Sequence, residues 1–386
     1  MKIGIVTKEW PPHIYGGAGV HAQLLTDSLR KFIDVEVHCF GEERIDAIGY
    51  PASNSQFNPA LAAFATDIEI AQNLGSVELV HSHTWYANMA GHWASLLHGI
   101  PHVITAHSLE PDRPWKAEQL GGGYRLSSWA EKTAYESADA IIAVSNGMKR
   151  DVLNAYPDVD PTKVHTILNG VDTQKYLPTF DPELLARLGI NGRYAIFVGR
   201  ITRQKGLGHL LRAWQKVNPD IGLVIAAGSP DEPAIGAEIA QLIKELQSDR
   251  ANVWWLEKML PQPELRVLLS SADLFICPSV YEPLGIVNLE AMACETAVLA
   301  SRVGGIPEVV HEGVTGELVD YTGDAPSFEG ELSSRINNMM ADPEKLERYG
   351  KAGRARAIKD FAWQTIAEET AHLYAQVIAS KKATHR

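Results

Sequence analysis

Two glutamates, Glu282 and Glu290, stand on either side of the start of a predicted helix. The turn between them contains Pro283, which favours a sharp bend, and Gly285, which lets the backbone approach a ligand closely. The free N–H groups of Leu284 and Gly285, together with the helix dipole, would form an anion site suited to a pyrophosphate. Carboxylates beside such a site make sense if Glu282 accepts hydrogen bonds from a sugar and Glu290 from a ribose. The alternative is a capped helix with solvated glutamates.

Two cations, Arg200 and Lys205, lie on a loop that follows a predicted strand ending at Gly199. At the carboxyl edge of a sheet, they could clamp a diphosphate and stabilise it as a leaving group, where a metal ion would otherwise act. The alternative is a solvated basic loop. The chain is acidic, with 35 Lys and Arg against 47 Asp and Glu, so a local basic cluster favours the anion site.

The segment between residues 108 and 125 combines cations, aromatic rings and a run of glycines. Its candidate acceptor-binding residues are Arg113, Lys116, Tyr124 and Arg125. A neutral glucan end needs hydroxyl partners and a stacking ring, whereas a buried phosphate also needs charged donors. We therefore predict a sugar phosphate acceptor. The alternative is that Arg113 and Lys116 are solvated and that a glucan end is the acceptor.

His81 and His83, at the end of another predicted strand, raise the question of a metal site. We expect none, because no third ligand has suitable spacing and alternate strand residues are taken to face opposite ways. Both histidines would shape the acceptor cleft, with Trp85 and Tyr86 available to stack on sugars. The acidic pair at 158–160 has metal-binding spacing, but it lies between two prolines and is expected at the surface.

These motifs resemble family 4 of the retaining glycosyltransferases, which have the GT-B fold. The matching features are the two glutamates separated by seven residues, the arginine–lysine pair, the amino-terminal glycine loop at 8–12 with 15–21, the histidine of 105–108 and the turn at 169–172. The resemblance extends over nearly the whole chain. Within the family, residues 81–86, 108–123 and 278–290 are most similar to short actinobacterial-type glycogen synthases, some of which make α-maltose-1-phosphate.

The resemblance implies a role for each matching position. His107 would line the reactive face, with its backbone carbonyl near the developing positive charge and its side chain near a sugar hydroxyl. The alternative is a buried histidine satisfied by backbone groups. The catalytic residues would be His107, Arg200, Lys205 and Glu282. The donor-binding residues would be Gly16, Gly17, Lys258, Met259, Leu260, Leu284, Gly285 and Glu290, with 258–260 receiving the base.

The elements that must position these residues alternate between strand and helix, which predicts parallel sheets with ligand groups at their carboxyl ends. The predicted strands are 2–7, 35–40, 79–80, 102–105, 140–144, 194–198, 222–227, 253–256, 274–277 and 297–301. The predicted helices include 20–32, 208–217, 263–270, 285–294 and 363–378. The length of 386 residues predicts two domains.

We therefore predict an α/β chain with the GT-B fold, in which a cleft separates two Rossmann-like, doubly wound domains. Residues 1–175, joined by a crossover helix in 363–386, would form the acceptor-side domain. Residues 176–362 would bind the nucleotide sugar. The linker near 170–190 would allow closure onto the donor, which excludes water.

Composition narrows the classes of protein and partner. A formal net charge of −12 argues against wholesale nucleic-acid binding. Three separated cysteines favour free thiols in a reducing compartment, and no apolar run is long enough for a signal peptide or a membrane span. We expect a cytoplasmic protein whose partners are small molecules, with no nucleic acid and no membrane. The sequence leaves the oligomeric state open, a homodimer included.

Residues and resemblance together predict a retaining hexosyltransferase without cofactor or metal. It would move glucose from ADP-glucose to glucose-1-phosphate, giving α-maltose-1-phosphate, or to an α-1,4-glucan end in glycogen synthesis. No residue is an evident nucleophile, which favours front-face attack. The alternatives are a sucrose- or mannosyl-type transferase with a UDP or GDP donor, a pyridoxal-phosphate-dependent glucan phosphorylase, and a carbohydrate-binding protein without activity. The intact set of site residues speaks against the last.

Overall fold

The computed structural model describes residues 1–14, 16–52, 56–112, 122–258 and 260–384. The chain divides into two compact units. The first unit comprises Met1–Gly170 with Trp363–Arg386, and the second comprises Val171–Ala362. The sequence predicts the first boundary a few residues later, after residue 175. It predicts the return to the first unit at residue 363, where the structure has it.

The first unit contains a seven-stranded sheet in which every neighbouring pair is parallel. Its strands are β1 (Lys2–Thr7), β2 (Asp34–Phe40), β3 (Ile48–Tyr50), β4 (Leu79–His83), β5 (His102–Ala106), β6 (Ala140–Ala143) and β7 (Val164–Thr166). The strand order is β3-β2-β1-β4-β5-β6-β7. Its helices are α1 (Gly17–Leu29), α2 (Pro59–Asn73), α3 (Trp85–His98), α4 (Gly122–Ser137), α5 (Asn146–Ala155) and, from the end of the chain, α14 (Trp363–Thr384).

The second unit repeats this layout with a six-stranded parallel sheet. Its strands are β8 (Tyr194–Val198), β9 (Gly222–Ala226), β10 (Val253–Leu256), β11 (Leu274–Cys277), β12 (Ala297–Ser301) and β13 (Gly316–Val319), in the order β10-β9-β8-β11-β12-β13. Its helices are α6 (Pro182–Arg187), α7 (Leu207–Trp214), α8 (Pro233–Asp249), α9 (Gln262–Ser271), α10 (Ile286–Ala293), α11 (Ile306–Val309), α12 (Ala325–Met340) and α13 (Pro343–Asp360).

Central strands of both sheets are buried along their whole length, as expected when helices cover both faces of a parallel sheet. Every residue of β4, β5, β11 and β12 is buried. α14 packs on the first unit, where Tyr374 and Trp363 join the same apolar cluster as Ile3 and Ile5. Because all strands run the same way, the loops after them emerge at one edge of each sheet.

All predicted strands are present, and their ends agree within one residue except at 79–80, where the strand continues to His83. The polar residues of that extension are buried and hydrogen-bonded, so hydropathy alone missed them. The sequence also missed β3, β7 and β13. These are edge strands of three or four residues, too short to show a pattern of their own.

Among the described residues, no helix is both long enough and apolar enough to cross a membrane. Cys39, Cys277 and Cys294 are buried free thiols. Burial raises the pKa of Cys39 to about 11 and that of Cys294 to about 12. These thiols therefore stay protonated at neutral pH, and this matches the structural, non-reactive reading of the cysteines.

Candidate active site

Lys205 and Glu282 form a buried ion pair in the second unit. Nζ of Lys205 lies 2.6 Å from Oε2 of Glu282, and the two side chains are only 19% and 9% exposed. The hydroxyl of Ser279 donates a second hydrogen bond to the same oxygen at 3.1 Å. Among the described residues neither bond uses Oε1 of Glu282, so this oxygen is available to accept from a ligand hydroxyl.

The charge of Lys205 is held in place by its surroundings. Burial is the largest influence and acts to lower the pKa of Lys205, but the charge of Glu282, the thiol of Cys277 and the hydrogen bond to Glu282 together raise the pKa overall. Lys205 is therefore protonated at neutral pH. Since removing one partner of a buried pair leaves the other charge uncompensated, each residue depends on the other for its burial.

Tight backbone turns position Lys205. Residues Arg203–Lys205 form a short 3-10 helix, which Thr202 caps by accepting from the backbone N–H of Lys205 at 3.3 Å. Gly206 ends this turn with a φ of 66°, a left-handed conformation that favours glycine. A Cβ atom at Gly206 would collide with the carbonyl oxygen of Pro278, so the turn lies directly on the loop that carries Glu282.

A second glycine supports that loop from its other side. Gly304 has a φ of 54°, and a Cβ there would overlap the backbone carbonyl of Glu282. The N–H of Gly305 donates to the same carbonyl at 3.0 Å. Glu282 is thus fixed by backbone contacts from the loops after β8 and β12, which flank its own loop after β11.

Arg200, directly after β8, forms a forked pair with Asp231. Its Nη1 lies 3.1 and 3.0 Å from the two carboxylate oxygens. Both side chains are exposed by about two-fifths, at 44% and 40%. The N–H of Asp231 donates to the carbonyl of Ile201 at 3.2 Å, which ties the two loops together. The positive charge of Arg200 also acts on Lys205, so the structure brings the two predicted cations close to each other.

The start of α10 has the features predicted for an anion site. Gly285 stands at the N-cap with a φ of 95°, and no side chain caps the helix. Leu284 is buried beside it. The first N–H groups of this helix therefore lack a side-chain acceptor, as a phosphate-binding helix start requires.

Glu290, one turn into the same helix, is half-buried, and the hydroxyl of Tyr176 acts on its carboxylate. Burial raises the pKa of Glu290 to about 7, although Tyr176 and the charge of Lys205 act to lower it. Arg200, Lys205, Glu282 and Glu290 therefore share one electrostatic environment. The predicted base-binding residues follow β10, with Lys258 exposed and Leu260 half-buried. Met259 lies outside the described residues, and a role for 258–260 in binding the base stays a prediction.

The first unit holds a cluster of histidines at the carboxyl ends of β4 and β5. Nδ1 of His83 lies 3.0 Å from Nε2 of His107. The ring centroid of His21, which belongs to α1, lies 4.7 Å from the ring centroid of His107. Burial lowers the pKa of His83 and His107 well below the usual range and that of His21 to about 4. These rings are neutral at pH 7, and the partner of His107 is a histidine rather than a backbone group.

Two expectations about His81 and His83 are wrong. Residues two apart in a strand share a face, and these two rings lie 4.3 Å apart. Two further imidazoles lie near His83, since ring nitrogens of His21, His83 and His107 lie within 4.8 Å of one another. Sequence spacing missed the group because its members come from three separate elements, which only the fold brings together.

The glycine loop leads into α1. Gly16 is the N-cap of this helix, and Gly17 is its first residue. The N–H of Gly16 donates to Oε2 of Glu9 at 2.9 Å. A phosphate binding at Gly16, as the resemblance implies, would therefore have to replace a carboxylate that already accepts from this amide.

Of the two aromatic residues predicted to stack on sugars, Trp85 is buried and Tyr86 is half-buried. Trp85 is 3% exposed and packs against Ala60 and Ala63. Its ring stacks on that of Tyr86 at 4.0 Å, so Trp85 supports Tyr86 and is not itself positioned to meet a sugar. Nζ of Lys8 lies 3.6 Å from the centroid of the Tyr86 ring.

The remaining acceptor candidates are only partly described. The hydroxyl of Tyr124 donates to the carbonyl of Glu110 at 2.9 Å, and Arg125 is exposed on α4. Arg113 and Lys116 lie outside the described residues. The acidic pair at 158–160 is exposed, and Asp160 caps a short 3-10 helix by accepting from Thr162 at 2.8 Å. This agrees with the expected surface turn.

Sequence reasoning gave no role to several residues that contact the site. Asp231 and Tyr176 engage the predicted donor residues Arg200 and Glu290. His21 and Lys8 stand beside the predicted acceptor residues. A signal existed for Lys8, which directly follows β1, and for Asp231, which follows β9, since loops after parallel strands meet at one edge. Nothing in the sequence pairs Tyr176 with Glu290.

Comparison with known proteins agrees with this arrangement. The model for glycosyl transferases group 1 matches residues 182–356, and that for glycosyltransferase family 4 matches residues 15–175. The chain is 51% identical over 387 residues to α-maltose-1-phosphate synthase of Mycolicibacterium smegmatis, covering 98% of this chain and 100% of that one. It is 49% identical over 388 residues, with the same coverage, to the protein of that name from Mycobacterium tuberculosis.

Among solved structures, sucrose-phosphate synthase from Thermosynechococcus elongatus matches with a TM-score of 0.80 and 25% identity, covering 98% of this chain and 99% of that one. The chain therefore belongs to glycosyltransferase family 4. It is a glycosyltransferase with two Rossmann-like α/β domains of the GT-B type, and the resemblance that the motifs indicated is confirmed.

The contact between Gly206 and Pro278 generates a stability prediction. Gly189→Ala, at a φ of 71° with open space around it, should cost about 1–2 kcal/mol from the backbone alone. Gly206→Ala carries the same backbone cost and adds a collision, so it should cost at least about 1 kcal/mol more. Urea unfolding of both variants measures the difference. Equal losses would show that the turn does not depend on this contact.

The raised pKa of Glu290 generates a pH prediction. Ionisation in the folded state is penalised between the ordinary pKa of 4.5 and about 7, so the penalty is complete above pH 7 and vanishes below 4.5. Glu290→Gln removes it while keeping an acceptor for Tyr176. The free energy of unfolding should rise by up to about 3 kcal/mol at pH 8 and by much less at pH 5.

Urea unfolding of Glu290→Gln and wild type at both pH values is the measurement. Glu257→Gln, which neutralises an exposed carboxylate of the same unit, serves as the control and should show little change at either pH. A gain for Glu290→Gln that is the same at pH 5 and pH 8 would contradict a raised pKa.

Proposed function

We propose that this glycosyltransferase moves glucose from ADP-glucose to glucose-1-phosphate, with retention of configuration, and so makes α-maltose-1-phosphate for α-glucan synthesis. The observation that carries the proposal is the 51% identity to an α-maltose-1-phosphate synthase over nearly the full length of both chains. Transfer needs neither cofactor nor metal in this proposal, and the buried free thiols support a cytoplasmic location.

The charged groups of the second unit suit the donor diphosphate. The exposed pair of Arg200 with Asp231 is worth at most about 1 kcal/mol, so Arg200 loses little when it exchanges that carboxylate for a diphosphate. Lys205 is buried and protonated, and it would stabilise the charge that develops on the leaving group. Oε1 of Glu282 would accept from a hydroxyl of the donor sugar.

The Lys205–Glu282 ion pair supports attack by the acceptor on the front face of the donor sugar. Glu282 already binds Lys205 and Ser279, and its charge is balanced, which makes it a poor covalent nucleophile. We infer that the acceptor attacks from the side that the diphosphate leaves. The departing diphosphate oxygen then takes the proton of the acceptor hydroxyl, and the new glycosidic bond keeps the configuration of the donor.

The first unit supplies groups for the acceptor and the reacting sugar. A neutral His107 can bond a sugar hydroxyl without repelling the positive charge that develops on the sugar ring. Tyr86, backed by Trp85 on one face, holds Lys8 over its ring, and Lys8 offers a cation for the acceptor phosphate. Burial lowers the pKa of Lys8, a sign of incomplete solvation that pairing with a phosphate would relieve.

Lys205→Ala should lower kcat/KM for glucosyl transfer at least about 100-fold, because one charge that stabilises a leaving group is worth roughly 3 kcal/mol. Arg203→Ala is the matched control, since Arg203 belongs to the same turn but pairs with Glu232 at the surface. The control should stay near wild type. Near-normal turnover of a folded Lys205→Ala variant would overturn the assignment of Lys205 to the diphosphate.

The acceptor is identified by incubating the enzyme with ADP-glucose and, separately, glucose-1-phosphate or glycogen. ADP release and product analysis should show α-maltose-1-phosphate from the first mixture. Lys8→Met should raise the KM for glucose-1-phosphate with a smaller effect on kcat, since it removes a charge for the acceptor phosphate. ADP release with glycogen alone would replace the phosphate acceptor by a glucan end, and UDP-glucose as the better donor would correct the nucleotide.

A further inference from the structure

Three histidines of the first unit converge on one point. Ring nitrogens of His21, His83 and His107, one from each, lie within 4.8 Å of one another. His21 and His83 are 2% and 0% exposed. The group lies where α1, β4 and the loop after β5 meet, so it is a product of the fold and not of a sequence motif.

The hydrogen bonds of His21 fix its tautomer in a form that can bind a ligand. Nδ1 lies 2.6 Å from Oδ1 of Asn169, which only accepts, so Nδ1 carries the proton. Nε2 is therefore a bare lone pair, and it is buried without a hydrogen-bond partner among the described residues. A histidine held this way by an oxygen behind it is the usual arrangement at metal sites.

His83 adds a second unsatisfied nitrogen to the cluster. Its Nδ1 contacts His107, while its Nε2 is buried and has no hydrogen-bond partner among the described residues. His81 differs, although it is their neighbour, because Tyr374 and Thr105 occupy both of its nitrogens at 2.6 and 2.7 Å. The buried, unpartnered Nε2 of His21 costs free energy unless a ligand accepts its lone pair, whereas Nδ1 of His83 and Nε2 of His107 lie together at 3.0 Å and would exchange that hydrogen bond for a shared ion.

We propose that His21, His83 and His107 form a site for a zinc-type transition-metal ion, with a fourth position left open to water or a sugar hydroxyl. Neutral imidazoles are the form that binds such ions. Ligand nitrogens around tetrahedral zinc lie about 3.4 Å apart for bonds of about 2.1 Å, so side-chain movements of about 1 Å close the site.

The site carries a functional consequence for the proposed transfer reaction. A metal bound to His107 takes the lone pair that would otherwise meet a sugar hydroxyl. Zinc is therefore an inhibitor of this enzyme and not its cofactor. Removing the ion with a chelator restores transfer, while transfer by metal-free enzyme is insensitive to the chelator.

Binding is measured first, independently of activity, on full-length protein without an affinity tag. Calorimetric titration with Zn²⁺ should give about one ion per chain, and Co²⁺ should give the visible absorption of a tetrahedral site. His21→Gln should weaken binding at least about tenfold, and Asn169→Ala, which keeps all three ligands, by about 10- to 100-fold. His372→Gln, on the surface of α14, should bind as wild type does.

Absence of saturable binding to wild type would overturn the proposal, as would equal affinity of wild type and a folded His21→Gln variant. Circular dichroism reports the fold of each variant, and the cobalt spectrum of wild type decides the matter if His21→Gln does not fold. Transfer assays with Zn²⁺ then test inhibition. If the protein binds zinc but transfers no glucose, the metal site is supported and only the proposed function is overturned.

Discussion

Every strand in both sheets of this glycosyltransferase runs parallel to its neighbours, and this constraint determines where its chemistry can lie. Parallel strands deliver the loops that follow them to one edge. Lys8 and His107 follow β1 and β5 in the first unit, and His83 is the last residue of β4, while Arg200, Asp231 and Glu282 follow β8, β9 and β11 in the second. Residues far apart in the chain thereby become neighbours without any regular spacing.

In the second unit, each of the two site cations is paired with a carboxylate. Burial disfavours the charge of Lys205, and pairing with Glu282 offsets the cost of its desolvation. Arg200 is more exposed and more weakly held by Asp231. The two cations therefore differ in a way that suits an anionic substrate, because one charge is fixed in position and the other can change partner at little cost. Glycines on both sides of the Glu282 loop keep this geometry rigid.

The first unit differs, because its cluster of three histidines is uncharged at neutral pH. Burial lowers the pKa of His21, His83 and His107, so their lone pairs, not their charges, are what they offer at neutral pH. Such rings can bond a hydroxyl, and three of them together can also bind a metal ion. The same desolvation would suit both of the proposed partners of this cluster, a cationic sugar and a zinc ion.

The sequence by itself determined the class of fold and all the central strands. It also identified, as predicted donor residues, four side chains that share one electrostatic environment in the second unit. It could do so because buried strands are continuous apolar runs, and because Arg200, Lys205, Glu282 and Glu290 lie in local motifs. Only the tertiary structure decided which groups these residues contact. The edge strands, the influence of Tyr176 on Glu290, the burial of Trp85 and the meeting of His21 with His83 and His107 all depend on contacts between distant segments. No local pattern encodes such contacts, since packing brings these segments together only when the chain folds.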